Sequence, residues 1–211
     1  MQAVHVSTAF ANGFFMSLVL IVAIGAQNAY VLRQGLRREH VGAVVLFCAA
    51  SDAVLIGAGV AGMAQALNGR PILATVLAGL GAAFLGAYGL KALWRSRRPA
   101  ALQATAQGVS VSRAAVVAQA AGFTLLNPHV YLDTVLLVGS AGAQYPGLLK
   151  LWFVAGSSVA SVLWFTSLGF GARLLAPVFA RPRAWQMLDA LVGGTMLVLA
   201  ALLARRAFPG L

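Results

Sequence analysis

The sequence predicts an all-α, polytopic membrane protein, and three observations carry that prediction. First, 61% of the 211 residues are hydrophobic and only 9% are charged, against roughly 25% charged in a globular domain. Second, the apolar residues fall into six runs, each long enough for a helix of ~20 residues to cross a bilayer. Third, the runs leave room only for short connections. The whole chain, residues 1–211, therefore reads as one transmembrane domain, and a soluble enzyme is excluded.

The first run, Phe10 to Leu32, is preceded by no Lys or Arg, so it lacks the positive flank of a secretory signal and is expected to remain as a span. The second, Val41 to Leu67, carries Asp52 about ten residues in, near mid-membrane at ~1.5 Å per residue. The third, Ile72 to Leu93, ends at Trp94, which suits the membrane interface. Ala114 to Gly139 is the fourth, and it contains a proline. Leu148 to Ala172 is the fifth, flanked by Tyr145 and with Trp152 near its start, while mid-span Trp164 is read as packing. The sixth, Trp185 to Leu203, has Asp189 one turn inside. Gly57 to Gly62, GAGVAG, has the letters of a dinucleotide fingerprint without its strand-turn-helix setting. It is read as a packing surface, as are Gly79 with Ala83 and Ala82 with Gly86.

Eleven of the fifteen basic residues flank the odd-numbered connections: Arg33, Arg37 and Arg38, then Lys91, Arg95, Arg97, Arg98 and Arg113, then Arg173, Arg181 and Arg183. Arg70, Lys150, Arg205 and Arg206 are on the other side. The positive-inside rule makes the odd connections cytoplasmic and places both termini outside. The net charge of +11 is thus read as orientation signal and lipid headgroup contact rather than nucleic-acid binding.

The fourth run, Gly122 to Gly139, is GFTLLNPHVYLDTVLLVG. Pro128 cannot donate a backbone hydrogen bond and biases Asn127 away from the α region, so the helix is expected to break there. Freed backbone groups in a bilayer survive only where protein or a watery cavity satisfies them. The soft stretch 99–112 divides the chain into halves of three spans, about 1–98 and 113–211, as an inverted repeat requires. Aligning Tyr30 with Tyr131 sets Gln27-Asn28 against Pro128-His129, so each half opens with a polar interruption, and the first and fourth spans are both expected to be broken.

Only four acids exist in the chain. Glu39 is a surface charge among arginines. Asp189 either favours the start of its helix through the dipole or pairs with Arg183. Asp52 and Asp133 lie deep in spans, where a bare carboxylate costs at least ~2.5–3.5 kcal/mol. Each either handles substrate or a proton, or fixes helix packing through a buried contact. His129 either relays protons or hydrogen-bonds freed carbonyls. No second His or Cys stands at ligand spacing to it, so no metal is expected. Cys48 is alone, which excludes a disulfide, and no cofactor motif is present.

Ile24-Gly25-Ala26-Gln27-Asn28-Ala29-Tyr30-Val31-Leu32-Arg33-Gln34-Gly35, then Asp52, then Leu126-Asn127-Pro128-His129-Val130-Tyr131-Leu132-Asp133, resemble the LysE/ArgO family of basic amino-acid exporters over essentially the whole chain. The family generally has Gly-Pro-Gln-Asn in the first span, and this chain has Ala26 where that proline is expected. The resemblance implies export of L-arginine or L-lysine across a bacterial inner membrane, driven by an ion gradient, with no catalysis. Carried over by position, Asp52 and Asp133 match the family's intramembrane acid pair, and Gln27, Asn28, Asn127 and Pro128 the polar breaks.

On that basis the aspartates are expected to face one cavity and neutralise a cationic amino acid, with a returning proton as the coupling ion and rocking of the halves giving alternating access. A neutral amino-acid or other cation exporter, a non-transporting membrane subunit and a homo-oligomer stay open from the sequence.

Overall fold

The computed structural model describes residues 2–22, 25–63, 71–97, 111–127, 130–179 and 181–207. Every regular element among them is helical. Helix α1, Gln2–Ile21, and helix α2, Ala26–Arg37, are bent by 81° at a break of a few residues. Helix α3, Val41–Ala58, widens into a π turn at Gly59–Met63, where Gly62 takes φ 109°. Helix α4 is Pro71–Ser96 and α5 is Arg113–Leu125. After a second break, α6 runs as a π helix over Tyr131–Val138 and continues as Gly139–Ala143. Helix α7 is Leu149–Gly171, followed by two short turns, and α8 is Pro182–Ala207.

The expected interruptions of the first and fourth apolar runs are both present. Val41–Gly62, Leu149–Leu175 and Arg183–Arg205 are each long and apolar enough to cross a membrane, and α1 with α2 makes a fourth if taken as one bent span. Large apolar side chains are exposed on several helices, among them Val19 of α1, Leu46 and Val54 of α3, Leu90 of α4, Leu163 of α7 and Val198 of α8. Such exposure suits a surface facing lipid rather than water.

Close backbone approach holds the interior together, as expected where lipid removes the hydrophobic drive between helices. A Cβ on Gly13 would lie 2.1 Å from the Phe153 carbonyl oxygen, and one on Gly156 would lie 2.0 Å from that of Phe10. Thus α1 and α7 touch backbone to backbone. Helices α4 and α8 pack along each other's length, with Gly89 and Gly193 facing each other's carbonyls. The small-residue surfaces expected from sequence pack in part: a Cβ on Gly86 would lie 3.9 Å from that of Ala200, whereas one on Gly57 or Gly79 would meet nothing within 4 Å. In the second-span run Gly59 packs against Val135 and Gly139 of α6.

An aromatic group of Tyr30, Phe84, Tyr88 and Phe123 joins α2, α4 and α5, with ring centroids 4.5–5.2 Å apart in the close pairs. Ser112 caps α5, its Oγ accepting from the Ala115 N–H at 3.2 Å. Of the expected linker 99–112, only Val111 and Ser112 are among the described residues.

Candidate functional site

The two breaks meet at one cavity of about 170 Å³, far larger than the roughly 10–15 Å³ that one water needs. Its wall includes Gly25, Gln27 and Asn28 from the first break, Asn127 and Asp133 from the second, and Asp52 from α3. Five of the seven residues singled out from the sequence are therefore brought together. Pro128 and His129 lie outside the described residues.

Local chemistry explains why the backbone opens here. Gly25 is extended, with φ −109° and ψ 177°, and α2 restarts behind it with no side chain capping its N-terminus. The break thus forms without the proline of the family pattern. Asn28 bridges it: Nδ2 donates to the Ile21 carbonyl at 2.5 Å, satisfying a carbonyl that the ended helix leaves free. At the second break the hydroxyl of Tyr131 does the same for the Leu125 carbonyl, at 2.9 Å. Beyond it the π-helical stretch carries Asp133 to the cavity, and such widened turns recur at functional sites. Thr134 Oγ1 donates back to the Val130 carbonyl.

Helix α7 is the support. Ser157, Ser161 and Trp164 stand at i, i+4 and i+7, on one face. Ser157 Oγ donates to the Gly13 carbonyl at 3.1 Å, Ser161 Oγ donates to Asp52 Oδ2 at 2.9 Å, and Trp164 Nε1 donates to Asn28 Oδ1 at 3.1 Å. One helix face therefore fixes α1, α3 and α2 in turn. Trp164, read from sequence as packing, orients the amide that spans the first break.

The lining is chemically divided. Asp52, buried at 3% exposure, and Asp133 supply carboxyl groups, and no Lys or Arg is among the described lining residues. Gln27 Nε2 and Ser17 Oγ are buried with no hydrogen-bond partner among the described residues, and both residues line the cavity. Apolar wall is provided by Leu20, Ile56, Val138 and Leu199. Ser17, Ser161, Thr134 and Thr195 were not singled out from sequence. The spacing of Ser157, Ser161 and Trp164 along one span was the signal that would have found the α7 face. Among the described residues no cluster of metal-ligating side chains occurs.

Asp189 pairs with neither its helix N-terminus nor Arg183. Its Oδ1 accepts from Arg33 Nη1 at 2.9 Å and from Arg95 Nη2 at 3.3 Å, tying together α8, α2 and α4.

The family profile described as "LysE type translocator" matches residues 18–207. Two similar proteins carry the curated name "Putative amino-acid transporter". Rv0488 of Mycobacterium tuberculosis is 47% identical over 180 residues, covering 85% of this chain and 89% of that protein. YggA of Aeromonas salmonicida is 43% identical over 196 residues, covering 92% and 94%. No solved structure matches. With a match over most of its length, the chain belongs to the family of LysE type translocators.

Proposed function

We propose that the protein exports basic L-amino acids, arginine or lysine, across the bacterial inner membrane by proton antiport with alternating access. The carrying observation is the cavity at the two breaks: two carboxyl side chains line it, and among the described residues no Lys or Arg does, while Gln27 Nε2 and Ser17 Oγ have no hydrogen-bond partner there. Asp52 and Asp133 match a guanidinium or ammonium group. Gln27 Nε2, Ser17 Oγ and the uncapped N-terminus of α2 match a carboxylate. The relatives' names support an amino acid as the substrate class.

Moving a cation out against an inside-negative potential costs about 2.3 kcal/mol per charge per 100 mV. A proton carried inward on an aspartate offsets it. In this reading six spans form two inverted halves, 1–98 and 113–211, with both termini outside and the arginine-rich connections in the cytoplasm. His129 and Pro128 belong to the site in this reading on their place in the sequence. The apolar wall from Leu20, Ile56, Val138 and Leu199 favours a second reading, a neutral amino acid.

Counterflow of labelled arginine into proteoliposomes preloaded with arginine, lysine, leucine or nothing tests the proposal. Uptake stimulated by arginine or lysine but not leucine, and lost in Asp133→Asn, is expected. Stimulation by leucine moves the assignment to neutral substrates, and no counterflow from folded protein refutes amino-acid exchange.

A further inference from the structure

We propose that Arg33 is the latch of the transport path: its bond to Asp189 is the polar tie between the α4–α8 pair and α2, and it closes the cavity at its arginine-rich end. This rests on the chain being a translocator with its site at the cavity, and not on which amino acid is carried.

The position is the first reason. Walking along α8 from Thr195, which lines the cavity, Asp189 is six residues away, about 9 Å at ~1.5 Å per residue. On α2, Arg33 is five residues beyond Asn28, about 7.5 Å. Both walls of the cavity thus converge on the ion pair in the same direction. Between them, beside Tyr30 and Met196, remains a void of about 10 Å³, room for about one water. The cluster is a seal, with side-chain exposures of 12% for Arg33, 17% for Arg95 and 3% for Asp189.

The second reason is the division of the helices. By backbone approach the described part of α4 packs extensively with α8, and it meets α5 only through the rings of Phe84 and Tyr88 on Phe123, whereas α7 gathers α1, α2 and α3. Asp189 and Arg95 both belong to the α4–α8 pair. Arg95 is further fixed to α4 by lying over the Tyr88 ring, 5.3 Å from its centroid. Arg33 alone of the three comes from the other group.

With two arginines on the same oxygen, one can withdraw and leave the other as counter-charge. When the α4–α8 pair swings away, Asp189 keeps Arg95 as counter-charge while Arg33 passes to water. No buried carboxylate is left bare, which is the costly outcome when an ion pair is split. Arg33 therefore sets the balance between closed and open states without being needed to hold either helix pair together.

The test reads access rather than turnover. Thr195→Cys in a Cys48→Ala background places a single thiol on the cavity wall. A membrane-impermeant cationic methanethiosulfonate is applied to right-side-out cells and to inverted membrane vesicles. With Arg33 present, labelling from the arginine-rich face is slow. Arg33→Gln is expected to raise it by about tenfold or more, the change for an open state that goes from a minor to a dominant population. Labelling from the opposite face falls, and Arg33→Lys restores part of the difference. Unchanged labelling from both faces in folded Arg33→Gln protein overturns the latch. So does failure of that variant to fold, because Arg95 alone is expected to balance Asp189. Neither result bears on substrate identity, which the counterflow assay reads.

Discussion

The two breaks open one cavity by different means. The second is written into the local chain: a proline lies in the gap, and Tyr131 reaches back six residues to the Leu125 carbonyl. The first has no proline at Gly25-Ala26. Its bridging amide, Asn28, is held by Trp164 from a helix more than a hundred residues away. An interruption enforced by its own sequence survives the loss of a neighbour, whereas one enforced by packing does not.

Trp164→Phe should break this contrast most visibly. It removes the indole donor to Asn28 while keeping an aromatic ring, and the lost part-buried bond costs about 1–3 kcal/mol. Thermal unfolding in detergent should show that loss, together with a fall in counterflow rate; unchanged transport would remove Trp164 from the first break.

Tyr131→Phe deletes the corresponding bond at the second break. That bond is exposed and the proline remains, so about 0.5–1.5 kcal/mol is expected in the same assay. A larger loss than for Trp164→Phe would reverse the comparison.

Ala26→Pro should have the smallest effect and a stabilising sign. Ala26 is the first residue of α2, where a missing N–H is harmless. Gly25 already has the extended conformation that a following proline demands. Stiffening the unfolded chain should add about 0.4–1 kcal/mol, read as a raised Tm; destabilisation would show that the buried site lacks room for the ring.

The sequence made some of this site legible and not the rest, for physical reasons. Asp52 and Asp133 stood out because a carboxylate at mid-membrane is expensive anywhere. Asn127 was marked by its proline, and Gln27 with Asn28 as the polar interruption in an apolar run. These are costs a residue carries with it. The roles of Trp164, Ser161 and Asp189 are properties of pairs. A tryptophan in the middle of a span packs or donates according to what lies opposite, and only the crossing of α7 with α2 puts Asn28 there. Likewise Arg183 is the nearer arginine to Asp189 in the chain, yet Arg33 and Arg95 are the ones that reach it. Gly79 failed as a contact for the same reason: small residues permit an approach but do not say which face receives it.

The span from Asn28 to Trp164 also sets an order in time. The two residues are separated by 136 positions, and at roughly 5–20 residues per second a ribosome needs about 7–27 s to cover that distance. The Tyr131 bridge is complete within a few residues of the second gap. The first break must therefore wait through the synthesis of α3 to α6 before its amide is held, and the bend between α1 and α2 acquires its final support only when α7 is made.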